Sequence, residues 1–337
     1  MRNFLSRIPR VVTVVVSGVV ALGVIALVVV TALGGFAGSG SGPIVRSGNG
    51  APASSTKQEG SASVSRAERS KAKTQYYVSL GDSYSVGYQP SPTPGATAGY
   101  TGYVARKAHL RLANFGCGGA TTASILTVDG CTQPYGPAAK ANAVAYANKT
   151  QAAAAVAFLR AHRGHIALIT VSISGNDITH CATVSNPTGC VLTAVPEIEK
   201  NVTTLARELR AAAGKHVPLI GLTYPDVLLG LWVYPPGQAD TSLASLSVTA
   251  FKSLLNPALT KAYGAAGGVL VDVTKLAGGY VALSKTTTLA PYGTIPVAVA
   301  NTCELTWYCT QGNIHAKSAG YELIGKAVVS RYDRLKR

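Results

Sequence analysis

Residues 76–85 read YYVSLGDSYS. The run Tyr76–Leu80 carries no charge and ends on Gly81, with Asp82 and Ser83 behind it. A short uncharged run closed by a glycine is the pattern of a strand buried on both faces. Comparable runs lie at Ile166–Ser172 (IALITVS), Val217–Thr223 (VPLIGLT) and Gly268–Val273 (GVLVDV), with a weaker one at Leu112–Phe115. The stretches Ala138–Arg163, Pro196–Ala213, Leu243–Ala266 and Ser318–Leu335 have helix-forming composition. Apolar strands alternating with helices predict an α/β domain with a central parallel sheet covered on both faces. Such sheets bind ligands beyond the carboxyl ends of their strands, so the residues after each strand are where a function is sought.

Ser83 follows the first strand. The turn Asn114-Phe115-Gly116-Cys117-Gly118-Gly119 closes the weak one, Ser174-Gly175-Asn176-Asp177 follows Ile166–Ser172, and Gly312-Asn313-Ile314-His315 precedes the last helical stretch. These residue types suit acyl transfer. A serine hydroxyl needs a neighbouring base to become a nucleophile, and histidine is a base near neutral pH. Attack on an ester carbonyl creates an oxyanion, which preorganised N–H donors stabilise, each worth on the order of 3–4 kcal/mol. Taken singly, Ser83 reads as a helix cap, Asn176 as an Asx turn and His315 as a surface histidine. Together, at four expected mouths of one sheet, they point to one site.

In that order the blocks resemble those of the SGNH hydrolases, also called GDSL esterases and lipases. GDSYS (81–85) is similar to their nucleophile block, Gly119 to the second-block glycine, Asn176 to the third-block asparagine and His315 to the fifth-block histidine. The resemblance runs from about Tyr76 to the C-terminus. It implies a three-layer α/β/α, flavodoxin-like SGNH fold, with Ser83 as nucleophile and His315 as base. It also implies an oxyanion hole of the Ser83 and Gly119 N–H groups and the Asn176 amide, and no cofactor or metal. Most members carry an aspartate three residues before the histidine. Here that position is Gly312, so the main-chain carbonyl of Gly312 is the expected His-orienting group, with Glu304 and Asp177 as alternatives. Ser174 stands where the family often has glycine, and its small side chain is expected to be tolerated. No G-x-S-x-G elbow of the ordinary α/β-hydrolase lipases occurs.

Six cysteines occur, at 117, 131, 181, 190, 303 and 309. An even count in an exported chain suggests disulfides. Spacing favours Cys117–Cys131, Cys181–Cys190 and Cys303–Cys309, a layout that also resembles the secreted bacterial branch of the family. No C-x-x-C is present, and His162 and His165 have no acidic or thiol neighbour in sequence, so no metal site is expected.

Arg2, Arg7 and Arg10 precede an uncharged apolar run from Val11 to Leu33. As a helix this run is roughly 35 Å long at about 1.5 Å per residue, enough to span a bilayer core. The flanking charges place the N-terminus inside. The expected organisation is a cytoplasmic basic segment (1–10), a transmembrane anchor (11–33), a flexible Gly/Ser/Ala linker (34–73) and an SGNH hydrolase domain (74–337). The alternative is a long signal peptide cleaved near Gly35-Phe36-Ala37, giving a secreted protein. From residue 74 onward the chain holds 21 basic and 12 acidic residues, a net of +9. The excess is spread without a basic stripe, so nucleic acid is not an expected partner. The expected partners are the membrane, through residues 11–33, and an acyl-ester or lipid substrate, to which the apolar stretch Val227–Pro236 offers a lining. Deacylation or acyl transfer on an envelope carbohydrate is the alternative chemistry. A membrane-tethered binding module without catalysis is the alternative from another class.

Overall fold

A computed structural model describes residues 74–91, 99–131, 133 and 142–336. The expected cytoplasmic segment (1–10), anchor (11–33) and linker (34–73) all lie outside the described residues. Among those described, no helix is long and apolar enough to cross a membrane.

Five parallel strands form the sheet: β1 Tyr76–Gly81, β2 Arg111–Asn114, β3 Ile166–Ser172, β4 Leu219–Leu222 and β5 Val269–Val271. Their order is β2-β1-β3-β4-β5, the flavodoxin-like order, which reverses direction between β1 and β3. Nearly every side chain of β1, β3 and β4 is buried, as a sheet covered on both faces requires.

Helices lie over both faces, giving three layers. Helix α1 (Ser83–Val86) follows β1 directly, and α2 (Gly99–Ala108) returns the chain to β2. On the other side, α3 (Gln151–Ala161) leads to β3 and α4 (Pro187–Ala213) to β4. From β4 to β5 the chain passes through α5 (Thr241–Thr249), a wide π-turn at Ala250–Leu255, and α6 (Asn256–Gly264). The last helix, α7 (Ser318–Leu335), packs on α2, while α4 packs between α3 and α6. The main core joins Tyr77, Leu80, Leu168 and Ile169 of the sheet to Leu159, Leu205 and Ile324 of the helices. A smaller core of Leu229, Ile295, Val299, Cys303 and Cys309 lies beneath the segment leading to His315. A two-stranded hairpin, β6 (Thr286–Leu289) with β7 (Gly293–Pro296), adjoins that smaller core.

Two helix boundaries differ from the sequence reading. α4 begins at Pro187, not Pro196, because the Asn186 side chain accepts from the Gly189 N–H and Pro187 occupies the first turn. Proline 196 then lies inside the helix. The helix expected from Ala138 begins at Gln151, capped by Thr150. Ahead of it, residues 142–150 run beside the sheet, with Asn114 bridged to Ala143 and the Tyr146 hydroxyl donating to the Phe115 carbonyl at 2.9 Å. These tertiary bonds override the helical preference of an Ala-rich stretch.

The three disulfides are Cys117–Cys131, Cys181–Cys190 and Cys303–Cys309, the pairs that spacing favoured.

Candidate active site

The site sits at the carboxyl end of β1. Gly81 has φ of 135°, and a Cβ there would run into the Ser172 carbonyl of β3, so only glycine lets the chain turn so close to its neighbour. The turn is held from several sides. Gln151 accepts from the Gly81 N–H at 2.6 Å and donates to its carbonyl at 3.1 Å. The Asp82 N–H donates to Ser172 at 3.1 Å. The N-cap of α1 is Asp82, which accepts from the Tyr84 N–H at 2.9 Å. Ser83 is thus not spent on capping.

Its hydroxyl lies 2.7 Å from His315 Nε2, across 232 positions of chain. His315 Nδ1 lies 2.7 Å from Asn313 Oδ1, which also accepts from the His315 backbone N–H at 3.1 Å. A backbone N–H can only donate, so the Asn313 atom facing it is the oxygen. That oxygen requires a proton on Nδ1, which leaves Nε2 with a lone pair facing Ser83. The orienting group is therefore the Asn313 side chain, not the Gly312 carbonyl expected from sequence. Nor is it Glu304 or Asp177. Asp177 instead accepts from Thr122, through its N–H at 3.0 Å and its hydroxyl at 2.6 Å. Gly312 has φ of 61° and packs against the Tyr234 ring, which a Cβ would strike. An aspartate on this backbone would meet both strain and that ring.

The segment carrying His315 is fixed by its own backbone. Trp307 N–H donates to the His315 carbonyl at 2.9 Å and Lys317 N–H to Leu305 at 2.8 Å. The Tyr84 hydroxyl, one residue past Ser83, donates to the Ile314 carbonyl at 2.6 Å. Its ring stacks on His315 with centroids 5.9 Å apart, and Tyr88 meets the imidazole edge-on at 4.5 Å. This aromatic enclosure pulls the His315 pKa down to about 4, through loss of hydration of the cation. Beneath it, Asp82 accepts from the Tyr224 hydroxyl at 2.6 Å, and burial pushes its carboxyl up to about 7. The sequence reading quoted Asn313 and Tyr84 within their blocks but gave neither a role. The position of Asn313, two before the histidine, was the available signal.

Asn176 shares a cavity with Ser83. Its amide donates to the Ala120 carbonyl at 2.8 Å; a primary amide has two hydrogens, so one remains. Gly119 precedes Ala120 and lines an adjoining hollow with Cys117, Gln133 and Gln151. The structure thus bonds Ser83 to His315, sets Asn176 in the cavity that Ser83 lines, and places Gly119 on the loop tied to Asn176. Ser174 holds φ of 112° with a buried hydroxyl that finds no partner, so it is strained as well as small. Among the described residues one His/Cys cluster occurs, His180 beside Cys181 and Cys190. Both sulfurs are bound in a disulfide and cannot serve as thiolate ligands.

A parallel sheet of this order, covered by helices on both faces and with a serine and a histidine joined at its carboxyl end, defines a three-layer, flavodoxin-like α/β protein. The model of the GDSL-like Lipase/Acylhydrolase family matches residues 79–323, and the chain belongs to that family. Ester hydrolysis is the activity this membership supports. Comparison with curated proteins finds no match. Among solved structures, a phospholipase A1 from Streptomyces albidoflavus NA297 is similar at 16% identity and a TM-score of 0.46, over 76% of this chain and 99% of that one.

Proposed function

We propose that the protein is an extracytoplasmic serine hydrolase that cleaves carboxylic esters through an acyl-enzyme on Ser83. The observation that carries this reading is the chain Asn313–His315–Ser83, two bonds of 2.7 Å each. His315 Nε2 takes the Ser83 proton as the oxygen attacks the ester carbonyl. The oxyanion is met by the spare Asn176 hydrogen and by the Ser83 and Gly119 N–H groups. The N–H of Ser83, in the first turn of α1, has no acceptor within the helix. His315 then passes its proton to the leaving alcohol. A water that gives its proton to the same nitrogen attacks the acyl carbon and frees Ser83.

Asn313 differs from a triad aspartate because it is neutral. It fixes the tautomer without stabilising the imidazolium by charge. With His315 already held near pKa 4, the base is unprotonated throughout neutral and mildly acidic solution.

The exported location rests on the three disulfides, which persist in oxidising compartments, and on the basic, then apolar, N-terminus. The apolar run serves as an anchor, with secretion after cleavage as the alternative. The test of function is p-nitrophenyl ester hydrolysis by the full chain beside Ser83→Ala, with labelling by a fluorophosphonate. The expected result is a loss of at least about 10³-fold in kcat and of all labelling, with the fold intact by circular dichroism. Equal rates in the two proteins would remove Ser83 from its assigned role.

A further inference from the structure

The two ends of the sheet differ in charge. The segments leaving the carboxyl ends of the five strands carry Asp82, Asp129, Asp177, Asp226 and Asp272. The other end is basic. Residues 105–111, 160–165, 214–218 and 332–336 hold eight exposed cations and a single acid, Asp333. Among the described residues none of the eight is in an ion pair. We propose that this basic end docks on an anionic lipid surface and turns Ser83 away from the bilayer. Docking is independent of the ester-hydrolase reading; its bearing on substrate rests on that reading.

The topology gathers the eight on one face. Arg106 and Lys107 end α2, and Arg111 opens β2. Arg160 closes α3 with Arg163 just beyond it, and Lys215 lies between α4 and β4. In a parallel sheet each crossover helix ends where the next strand begins. Arg163 donates to the carbonyls of Ala211 and Ala212, at 3.3 and 3.2 Å, so the ends of α3 and α4 adjoin. Arg334 and Lys336, at the end of α7, belong to the same face. Gly325 of α7 packs on the Tyr103 ring, and Lys107 shares a hollow with Ser330 and Arg334, so α7 runs beside α2 in the same direction.

A cation in the last turn of a helix offsets the helix dipole. Arg111, Arg163 and Lys215 lie outside any helix, and that role does not explain them. Cations gathered on one face repel one another until a counter-charge meets them. The entry point of the chain favours lipid as that counter-charge. The Thr74 carbonyl lies 3.3 Å from a His165 ring nitrogen, and the Gln75 carbonyl accepts from the Arg111 N–H at 2.9 Å. Residues 1–73, with the apolar run 11–33, therefore join the domain at its basic end. The site lies at the opposite end. β3 has seven residues, roughly 20 Å at about 3.3 Å each. With the basic end on the headgroups, Ser83 stands beyond the lipids of that bilayer. The substrates this orientation suits are esters in solution or on polymers outside the membrane.

The test uses the full chain in vesicles of phosphatidylcholine alone and of phosphatidylcholine with phosphatidylglycerol. Exposed lysines are acetylated with a membrane-impermeant sulfo-N-hydroxysuccinimide ester and followed by peptide mass spectrometry. On the anionic vesicles Lys107, Lys215 and Lys336 should react at least about fivefold more slowly, the equivalent of about one cation held at such a surface. Lys275 and Lys285, exposed and outside the basic segments, should not change. The protection should fade at 1 M salt, where the screening length is about 3 Å. Arg106→Glu with Arg334→Glu should abolish it and leave p-nitrophenyl acetate hydrolysis unchanged, with Arg106→Gln and Arg334→Gln between the two. Equal reactivity of the three lysines on both kinds of vesicle overturns the proposal, as does slowing of Lys275 and Lys285 instead. Protection by soluble polyphosphate but not by anionic vesicles replaces the lipid with an anionic polymer and overturns it too. All three results leave the hydrolase reading standing. That reading fails separately, if no ester is cleaved and no fluorophosphonate label forms on Ser83.

Discussion

Substitutions at Asn313 and at Ser174 have separable effects. Asn313→Ala removes the acceptor that holds Nδ1–H, freeing the imidazole to rotate or take the wrong tautomer. We expect kcat to drop on the order of 10²-fold with KM little changed, as read from steady-state kinetics. Asn313→Asp keeps the acceptor and adds a negative charge, which favours the imidazolium. The active form of the base is the neutral one, so the rate rises with pH through the His315 pKa. In the wild type this rise lies near pH 4. In Asn313→Asp it should move upward by about 1 pH unit or more, and an unmoved acid limb in kcat/KM against pH would contradict the assignment. At Ser174 the prediction concerns stability. Glycine there relieves a left-handed backbone and removes an unpaired buried hydroxyl. Ser174→Gly should stabilise by about 1–2 kcal/mol, visible as a higher thermal midpoint.

Among the elements, the disulfides differ in the loops they close. Cys117–Cys131 spans 14 positions and Cys303–Cys309 spans 6. On the loop-entropy account they contribute about 3 and about 2 kcal/mol. Paired Cys→Ala replacements should therefore lower the melting temperature more for the first pair. The second pair should show more in activity, because the smaller core that includes it underlies the His315 segment. Much of this level was legible beforehand. β3 lies where the run IALITVS placed it, and α7 where Ser318–Leu335 placed it. Such long, uniform patterns leave little else for the chain to do. What escaped was set by contacts between distant segments. The start of α3 depends on residues 142–150 binding near β2, and the π-turn at Ala250–Leu255 has no periodic signature. In the site, the serine and histidine were readable from their blocks. The orienting group was not, since a side-chain oxygen and a main-chain oxygen two or three residues upstream are equivalent in sequence.

For the molecule as a whole, buried titrating groups set how stability follows pH. Burial raises Asp82 and Asp226 to about 7 and raises Asp177 as well, while it lowers His315 to about 4. Between about pH 4 and 6.5, Asp82 and Asp226 hold protons that the unfolded chain releases, and His315 lacks one that the unfolded chain carries. The folded state therefore binds more protons, and stability falls as pH rises across this window, by on the order of 1 kcal/mol per pH unit. Thermal melts from pH 4.5 to 7.5 should show a declining midpoint. Asp226→Asn should flatten the decline, because Asp226 has one oxygen without a partner and no cation beside it to favour ionisation. A midpoint that climbs with pH would mean these carboxyls ionise in the folded protein.

The hydroxyl of Tyr84 bonded to Ile314 joins the helix that follows β1 to the loop that precedes α7. A chain still emerging from the ribosome or an export channel holds its nucleophile long before its base exists in reach. On the proposed mechanism such a precursor cannot cleave esters until the segment carrying His315 docks beside Ser83, so activity would report that the domain has been completed.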